Sequence, residues 1–230
     1  MFSSITQGNS NRLGSGSISA NFTNTATGTY TSGAFSYKYV TFTGNGTLTL
    51  DSSGLIDILV VAGGGAGRTS NSDPAGGGSG GLYYKENLYL NAGSYVVVVG
   101  GGGSTSTNPG GPGNYSEIIN TIAKIGGGEG GYTGNYVCTG KNSYGGGGSA
   151  GAFAGSDISN VSGNGAGAGG TVFGSNNRDG RSISITGSAV TYATGGLGSS
   201  SGAGTANTGN GGGGVNGAGG SGIVIVRVKV

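Results

Sequence analysis

Short runs of β-branched and aromatic residues predict β-strands in the first half of this chain. Residues 37–42 (YKYVTF) and 47–50 (TLTL) flank a Gly-Asn-Gly turn at 44–46, which predicts a hairpin. Residues 55–62 (LIDILVVA) are apolar at nearly every position, and this predicts a strand that is buried on both faces.

Three further segments extend this strand pattern. Residues 82–90 alternate loosely, and a turn at 91–93 separates them from the YVVVV run at 95–99, which again predicts burial on both faces. In the closing strand, 223–230, valines occupy one face, while the other face changes from isoleucine to Arg227 and Lys229. We therefore expect this last strand to begin fully covered and to leave the core near its end.

Residues 115–125 (YSEIINTIAKI) fit two different structures. Ile118, Ile122 and Ile125 would share one face of a helix, whereas Asn120 lies where a turn between two short strands would fall. Because the neighbouring segments read as strands, we favour the hairpin.

Glycine changes this picture, because 60 of the 230 residues are Gly against a usual share of roughly 7%. The glycines are clumped, as at 100–103 and 145–148, so the strict every-third-residue repeat of collagen is excluded. Disorder is disfavoured by a hydrophobic content of 33% and a net charge of only +2. The segment 126–222 holds most of the clumps and has no helical periodicity.

Clumped glycine can be ordered as bundled extended chains. A three-residue-per-turn helix of the polyproline II type has no internal hydrogen bonds, so its backbone groups pair with neighbouring chains. Glycine permits that approach because it has no Cβ, and about 1 kcal/mol per hydrogen bond offsets its large ordering entropy. The predicted fold is all-β, a short-stranded β-sandwich combined with a bundle of polyglycine II-like helices that the Ile/Val strands anchor.

Two regions follow from the composition. Residues 1–34 are polar and almost uncharged, and they fit an extended arm or a first edge strand equally well. Residues 35–230 form the glycine-rich β/polyglycine domain, which the strand 223–230 closes.

Catalysis has few candidate residues. The chain has no His, its eight carboxylates are scattered, and its single cysteine, Cys138, reads as a small packed residue. We expect a non-enzyme without metal or cofactor. The ten basic residues form no cluster, which argues against nucleic-acid binding, and no segment reads as a signal peptide or a membrane span.

A tyrosine- and asparagine-rich stretch at 132–144 and an asparagine-containing stretch at 173–181 are candidate contact surfaces. Tyrosine with small polar residues makes adaptable contacts in antibody loops, although the same tyrosines could simply cap a glycine bundle and the second stretch could be a solvated turn. The candidates are Tyr132, Asn135, Tyr136, Lys141, Asn142 and Tyr144 in the first stretch, and Phe173, Asn176, Asn177 and Arg178 in the second.

Three motifs resemble the glycine-rich domain of tailed-bacteriophage structural proteins, including those of phages that infect aquatic bacteria such as cyanobacteria. They are DILVVAGGGAG at 57–67, AGSYVVVVGGGG at 92–103 and GTANTGNGGGGVNGAGGSGIVIVRV at 204–228. In composition alone the chain is also similar to tail-fibre-tip adhesins of T-even-like phages, which carry a polyglycine II sandwich whose loops bind the host.

The resemblance implies a phage structural protein, made in the host cytoplasm and exposed on the virion exterior. Its first expected role is a tail-associated adhesin that contacts other virion proteins and a bacterial receptor, either a glycan or an outer-membrane protein, as a homo-oligomer or in many copies. The alternatives are a capsid decoration or cement protein and, ranked lower, a cellular surface-coat or ice-binding protein.

Overall fold

The computed structural model of the chain describes residues 19–68, 75–105, 110–121, 124–128, 179–198 and 200–230. These residues form twelve β-strands and no helix, which confirms the predicted all-β class. The strands are β1 (Asn21–Phe22), β2 (Gly28–Ser32), β3 (Phe35–Phe42), β4 (Gly46–Ser52), β5 (Gly54–Val61), β6 (Leu82–Leu90), β7 (Gly93–Val98), β8 (Ser116–Ile118), β9 (Lys124–Ile125), β10 (Arg181–Ile183), β11 (Val190–Tyr192) and β12 (Ile223–Lys229).

Two five-stranded sheets, antiparallel throughout, make up the main body. Sheet 1 has the order β2-β3-β12-β5-β6, and sheet 2 has the order β1-β4-β7-β8-β9. Their facing side chains form one core, in which Leu48 and Val97 of sheet 2 join Ile58, Val224 and Val226 of sheet 1. All five are fully buried.

The other face of sheet 1 is also covered over part of its area. The β10–β11 hairpin packs Ile183, Ile185 and Tyr192 against Leu59 and Ile225. This second cluster explains why β5 is apolar on both faces, as its sequence predicted.

The hairpin predicted between 37–42 and 47–50 is wrong. β3 pairs with β2 and β12 in sheet 1, whereas β4 pairs with β1 and β7 in sheet 2. The Gly-Asn-Gly segment therefore crosses between the sheets, and Asn45 Oδ1 accepts a hydrogen bond of 3.0 Å from the Val99 amide. An alternation of apolar and polar residues predicts a strand, but it does not show which other strand that strand will pair with.

Two burial predictions also need correction. β7 is buried on one face only, because Val96 is 49% exposed beside the buried Val97. β12 does not leave the core at its basic end, since Arg227 is only 9% exposed and is paired with an acid. The hairpin favoured for 115–125 is confirmed, because Ser116 pairs with Ile125.

The start of the described chain contributes one strand to each sheet. Ser19 bridges to Leu55, β1 lies at an edge of sheet 2, and β2 lies at an edge of sheet 1. The turn between β2 and β3 contains residue 34, the boundary predicted between the N-terminal region and the glycine-rich domain.

Glycine-rich segments connect these strands and hydrogen-bond to one another. Segment 62–68 lies among six others. Its amides donate in rotation to segments 75–81, 110–115 and 217–222, with 62, 65 and 68 bonded to the first, 63 and 66 to the second, and 64 and 67 to the third. Its carbonyls at 63, 64 and 65 accept from Gly128, Gly103 and Gly212, which belong to three further segments.

At several glycines the spacing between these segments leaves no room for a side chain. A Cβ added at Gly63 would overlap the Gly101 carbonyl, and one at Gly64 would overlap the Asn210 carbonyl. At Gly67 the obstacle is the Gly213 carbonyl. Glycine is therefore a packing requirement at these three positions.

Candidate functional site

The glycine segments have two ends with different surroundings. At one end they continue directly into strands of the sandwich, as segment 62–68 follows β5 and segment 75–81 precedes β6. At the other end, here called the apical end, outgoing and returning segments meet.

Backbone hydrogen bonds mark the apical end. The Arg68 amide donates to the Ala75 carbonyl at 3.0 Å, and the Gly111 amide donates to the Ser104 carbonyl at 2.9 Å. Between segments 209–214 and 217–222, the Gly217 amide donates to the Gly213 carbonyl at 2.9 Å. Three separate pairs of outgoing and returning segments are thus closed at the same end of the glycine region.

The described apical residues are mostly small and polar. Ser104 and Asn216 are exposed, and Asn216 has a positive φ of 57° in the turn before segment 217–222. Leu197 is an exposed apolar side chain at 37%. Of the described residues named at this end, Arg68 alone is charged.

The ten residues predicted as receptor contacts fall outside the described residues. They are Tyr132, Asn135, Tyr136, Lys141, Asn142, Tyr144, Phe173, Asn176, Asn177 and Arg178. Their role stays a prediction from the sequence. The last described residue before these two stretches is Gly128, whose amide donates to the Gly63 carbonyl. The first described residue after them is Asp179.

A polar cluster lies on the uncovered part of sheet 1 and is the second notable site. Arg227 of β12 lies opposite Asp57 of β5, and its Nε donates to Asp57 Oδ2 at 2.7 Å. Its other nitrogens reach Tyr30 Oη at 2.5 Å and Glu86 Oε1 at 3.3 Å. Burial lowers the pKa of the Arg227 guanidinium, but the hydrogen bonds and charges of Asp57 and Tyr30 together outweigh burial, and the pKa is raised.

A β-bulge brings the second acid to this cluster. The β5–β6 register shifts between Ile56 and Ile58, so Glu86 and Asn87 both lie opposite Asp57. Asn87 has a φ of 54°, and its amide donates to Asp57 Oδ1 at 2.9 Å. Tyr84 Oη donates to Glu86 Oε1 at 2.6 Å.

A shallow pocket of about 210 Å³ opens beside these groups. Its walls include Tyr37, Asn87 and Lys229, and the Lys229 ammonium lies 2.9 Å from the centre of the Phe35 ring. The charges of the cluster are paired within the protein, so its first role is to hold β12, β5 and β6 together. The sequence indicated this cluster in part, because the charged residues Asp57 and Arg227 interrupt two otherwise apolar strands. Nothing in the sequence indicated that these two residues face each other.

The described ranges hold neither a cluster of metal-ligating residues nor a helix that could span a membrane. No group of three or more His, Cys, Asp or Glu residues there could hold a metal ion. Nor does that part of the chain contain a helix with the length and hydrophobicity needed to cross a bilayer.

The chain matches a known protein family. A family model described as a glycine-rich domain matches residues 40–229, which include all strands from β4 onward and every glycine segment. A search of curated proteins found no match.

Proposed function

We propose a function that starts from the family to which the chain belongs, the glycine-rich domain family. The protein is a non-catalytic surface module of a virion, built as a rigid platform for recognition. The proposal has two parts. The first concerns the conformation of the glycine segments, and the second concerns what their apical end does.

The glycine segments are proposed to form a polyglycine II-like bundle. A helix with three residues per turn and no internal hydrogen bonds directs successive amides to three different neighbours. The amides of segment 62–68 follow this rotation through two full cycles. Those of Gly212, Gly213 and Gly214 likewise reach three different segments, through the carbonyls of Gly65, Gly202 and Leu197.

The observation that carries the proposed function is the common direction of the apical connections. A backbone-bonded bundle is stiff, one of its ends is fixed to a two-sheet sandwich, and the other end presents several chain reversals side by side. Loops held by a rigid scaffold are the usual carriers of binding function. The apical end is therefore proposed as the face that contacts the host.

The sequence resemblance supplies the biological setting of this proposal. It points to a tailed phage, with the module on the particle exterior, attached to other virion proteins and facing a glycan or outer-membrane protein of the bacterium. The predicted contacts between 132 and 144 and between 173 and 178 belong to the same proposal.

Cell binding tests the apical assignment. Fluorescently labelled protein should bind the bacteria that the virion infects and should compete with virion adsorption. Leu197→Glu should reduce that binding at least several-fold, as should replacement of residues 132–144. Val96→Glu is the matched control, because Val96 is also an exposed apolar side chain, at 49% against 37% for Leu197, but it lies within strand β7 of sheet 2 and not at the apical end. Equal binding by all variants would contradict the proposal.

Particle location tests the virion assignment separately. Quantitative mass spectrometry of purified virions should find a handful of copies per particle, and gold-labelled antibody should mark the tail tip. Hundreds of copies on the capsid would contradict the adhesin role and would indicate a decoration protein instead. Absence from the particle would contradict a virion role altogether.

A further inference from the structure

The four edges of the two sheets differ in how they are protected. β1 and β9 are edge strands of only two residues each. β6 is long, but it carries the bulge at Glu86–Asn87 and two charged residues, Lys85 and Glu86. Short length, charge and bulges are the devices by which proteins prevent an edge from pairing with another chain.

β2 has none of these devices. Its five residues (GTYTS) are uncharged, contain no proline and pair with β3 in unbroken register from Gly28 to Ser32. A two-residue turn with Gly33 at a φ of 59° follows Ser32, so the Ser32–Phe35 pair is the hydrogen-bonded one. By alternation Thr29 and Thr31 direct their N–H and C=O groups away from the sheet.

Those outward groups have no partner within the described part of the chain. The backbone bonds of the neighbouring turns and loops involve Thr27 but neither Thr29 nor Thr31, and both threonines are exposed. An edge with paired inner groups and free outer groups is a template for one more antiparallel strand.

We propose that the occupant of this edge is β2 of a second copy, paired antiparallel about a two-fold axis at Tyr30. Thr29 of one copy then lies opposite Thr31 of the other, so four backbone hydrogen bonds form from the four outward threonines. Residues 28–32 contain no charge, so this self-pairing brings no like charges together, and cross-strand threonine pairs are favourable. Tyr30, already stacked on Tyr37 at 5.2 Å, meets its own counterpart, and sheet 1 becomes a ten-stranded sheet across the dimer.

The contact is small, because one pair of five-residue strands buries much less than the roughly 1,000 Å² of a stable interface. It is therefore a weak dimer in dilute solution and becomes significant where copies are held close together.

Sedimentation equilibrium of the full chain over a range of concentrations tests this proposal. The wild type should show a reversible monomer–dimer equilibrium. Thr29→Glu with Thr31→Glu places like charges opposite each other across the axis, while Lys38, the cross-strand neighbour of Thr29, favours the fold. The dimer should weaken at least tenfold in this variant. The control variant, Thr47→Glu with Thr49→Glu, makes the same change on β4, an interior strand of sheet 2, and should leave the dimer dissociation constant unchanged.

Hydrogen exchange gives an independent measurement on the unaltered chain. The amides of Thr29 and Thr31 should become more protected as protein concentration rises, while those of β4 should not change. A chain that stays monomeric at all concentrations would overturn the proposal. So would a dimer that survives the edge substitutions but is lost when residues 1–18 are removed, because that segment would then be the occupant.

Discussion

Gly64 and Gly101 differ in whether the surrounding structure has room for a side chain. A Cβ on Gly64 would overlap the Asn210 carbonyl oxygen, which is backbone and cannot turn aside. A Cβ on Gly101 would meet only the Asn114 side-chain amide nitrogen, at an ordinary 3.7 Å. Two glycines of similar sequence context are thus expected to respond very differently to substitution.

Gly64→Ala should lower the free energy of unfolding by about 3 kcal/mol or more, because overpacking of a rigid contact forces backbone shifts. Gly101→Ala should change it by less than about 1 kcal/mol, as expected at a site with space. Urea denaturation followed by circular dichroism measures both. Equal effects from the two substitutions would show that the segments are not packed against each other in this way.

The ion pair between Arg227 and Asp57 makes the second prediction at this scale. Their side chains are 10% and 14% exposed, so Asp57→Asn leaves a buried guanidinium without its main partner. The expected loss of stability is about 3 kcal/mol, in the range for one removed partner of a buried pair. Glu86→Gln is the control, because Glu86 is 55% exposed and its pairing is worth about 1 kcal/mol or less. A small effect of Asp57→Asn would mean that solvent reaches Arg227.

At the level of elements, tyrosines of β6 and β11 that are partly or fully buried make the stability of the fold depend on pH. Burial raises the pKa of Tyr83 and Tyr192, and burial together with the hydrogen bond to Glu86 raises that of Tyr84. The folded state therefore favours the protonated phenols. Their contribution to stability is complete below the unfolded pKa of 10.0 and is lost as the pH rises above it through the folded values.

Alkaline denaturation is the expected outcome. The urea midpoint should fall as the pH rises above 10.0, and tyrosinate absorbance should appear together with unfolding. Tyr84→Phe should reduce the slope of this fall, because it removes one of the titrating phenols. A midpoint that stays constant through the same range would contradict the assignment.

Element types were more predictable from the sequence than their partners. The apolar run LIDILVVA predicted a strand buried on both faces, because a strand with one covered face needs an apolar residue only at every second position. β5 is buried in this way. The β3–β4 pairing failed because period-two patterns are the same whichever strand lies alongside. Arg227 was expected at the surface because its burial depends on Asp57, which lies 170 positions away in the sequence.

The glycine segments show the same limit more strongly. Composition and spacing indicated ordered backbone pairing, but glycine has no side chain to specify a register. The partners of segment 62–68 range from Ala75 to Gly220 and became visible only in three dimensions. The apical end could not be located from the sequence for that reason.

At the scale of the whole molecule, segment 62–68 links regions that are far apart in the chain. Its neighbours include residues just before β8, just before β12 and between β11 and β12. Such long-range connections must form together, so the sandwich and the glycine segments are expected to unfold as one unit. A rigid platform for the apical end depends on this cooperation.

Hydrogen exchange of the backbone amides, resolved by residue, tests this account most directly. If the glycine segments are an ordered bundle joined to the sandwich, the amides of Gly64, Gly65 and Ala66 will be protected as strongly as those of Ile225 and Val226 in β12. All five will then exchange only through global unfolding. If the glycine amides exchange at the rate of an open chain while β12 stays protected, the segments are loops on a sandwich, and both the bundle and the rigid apical surface are excluded.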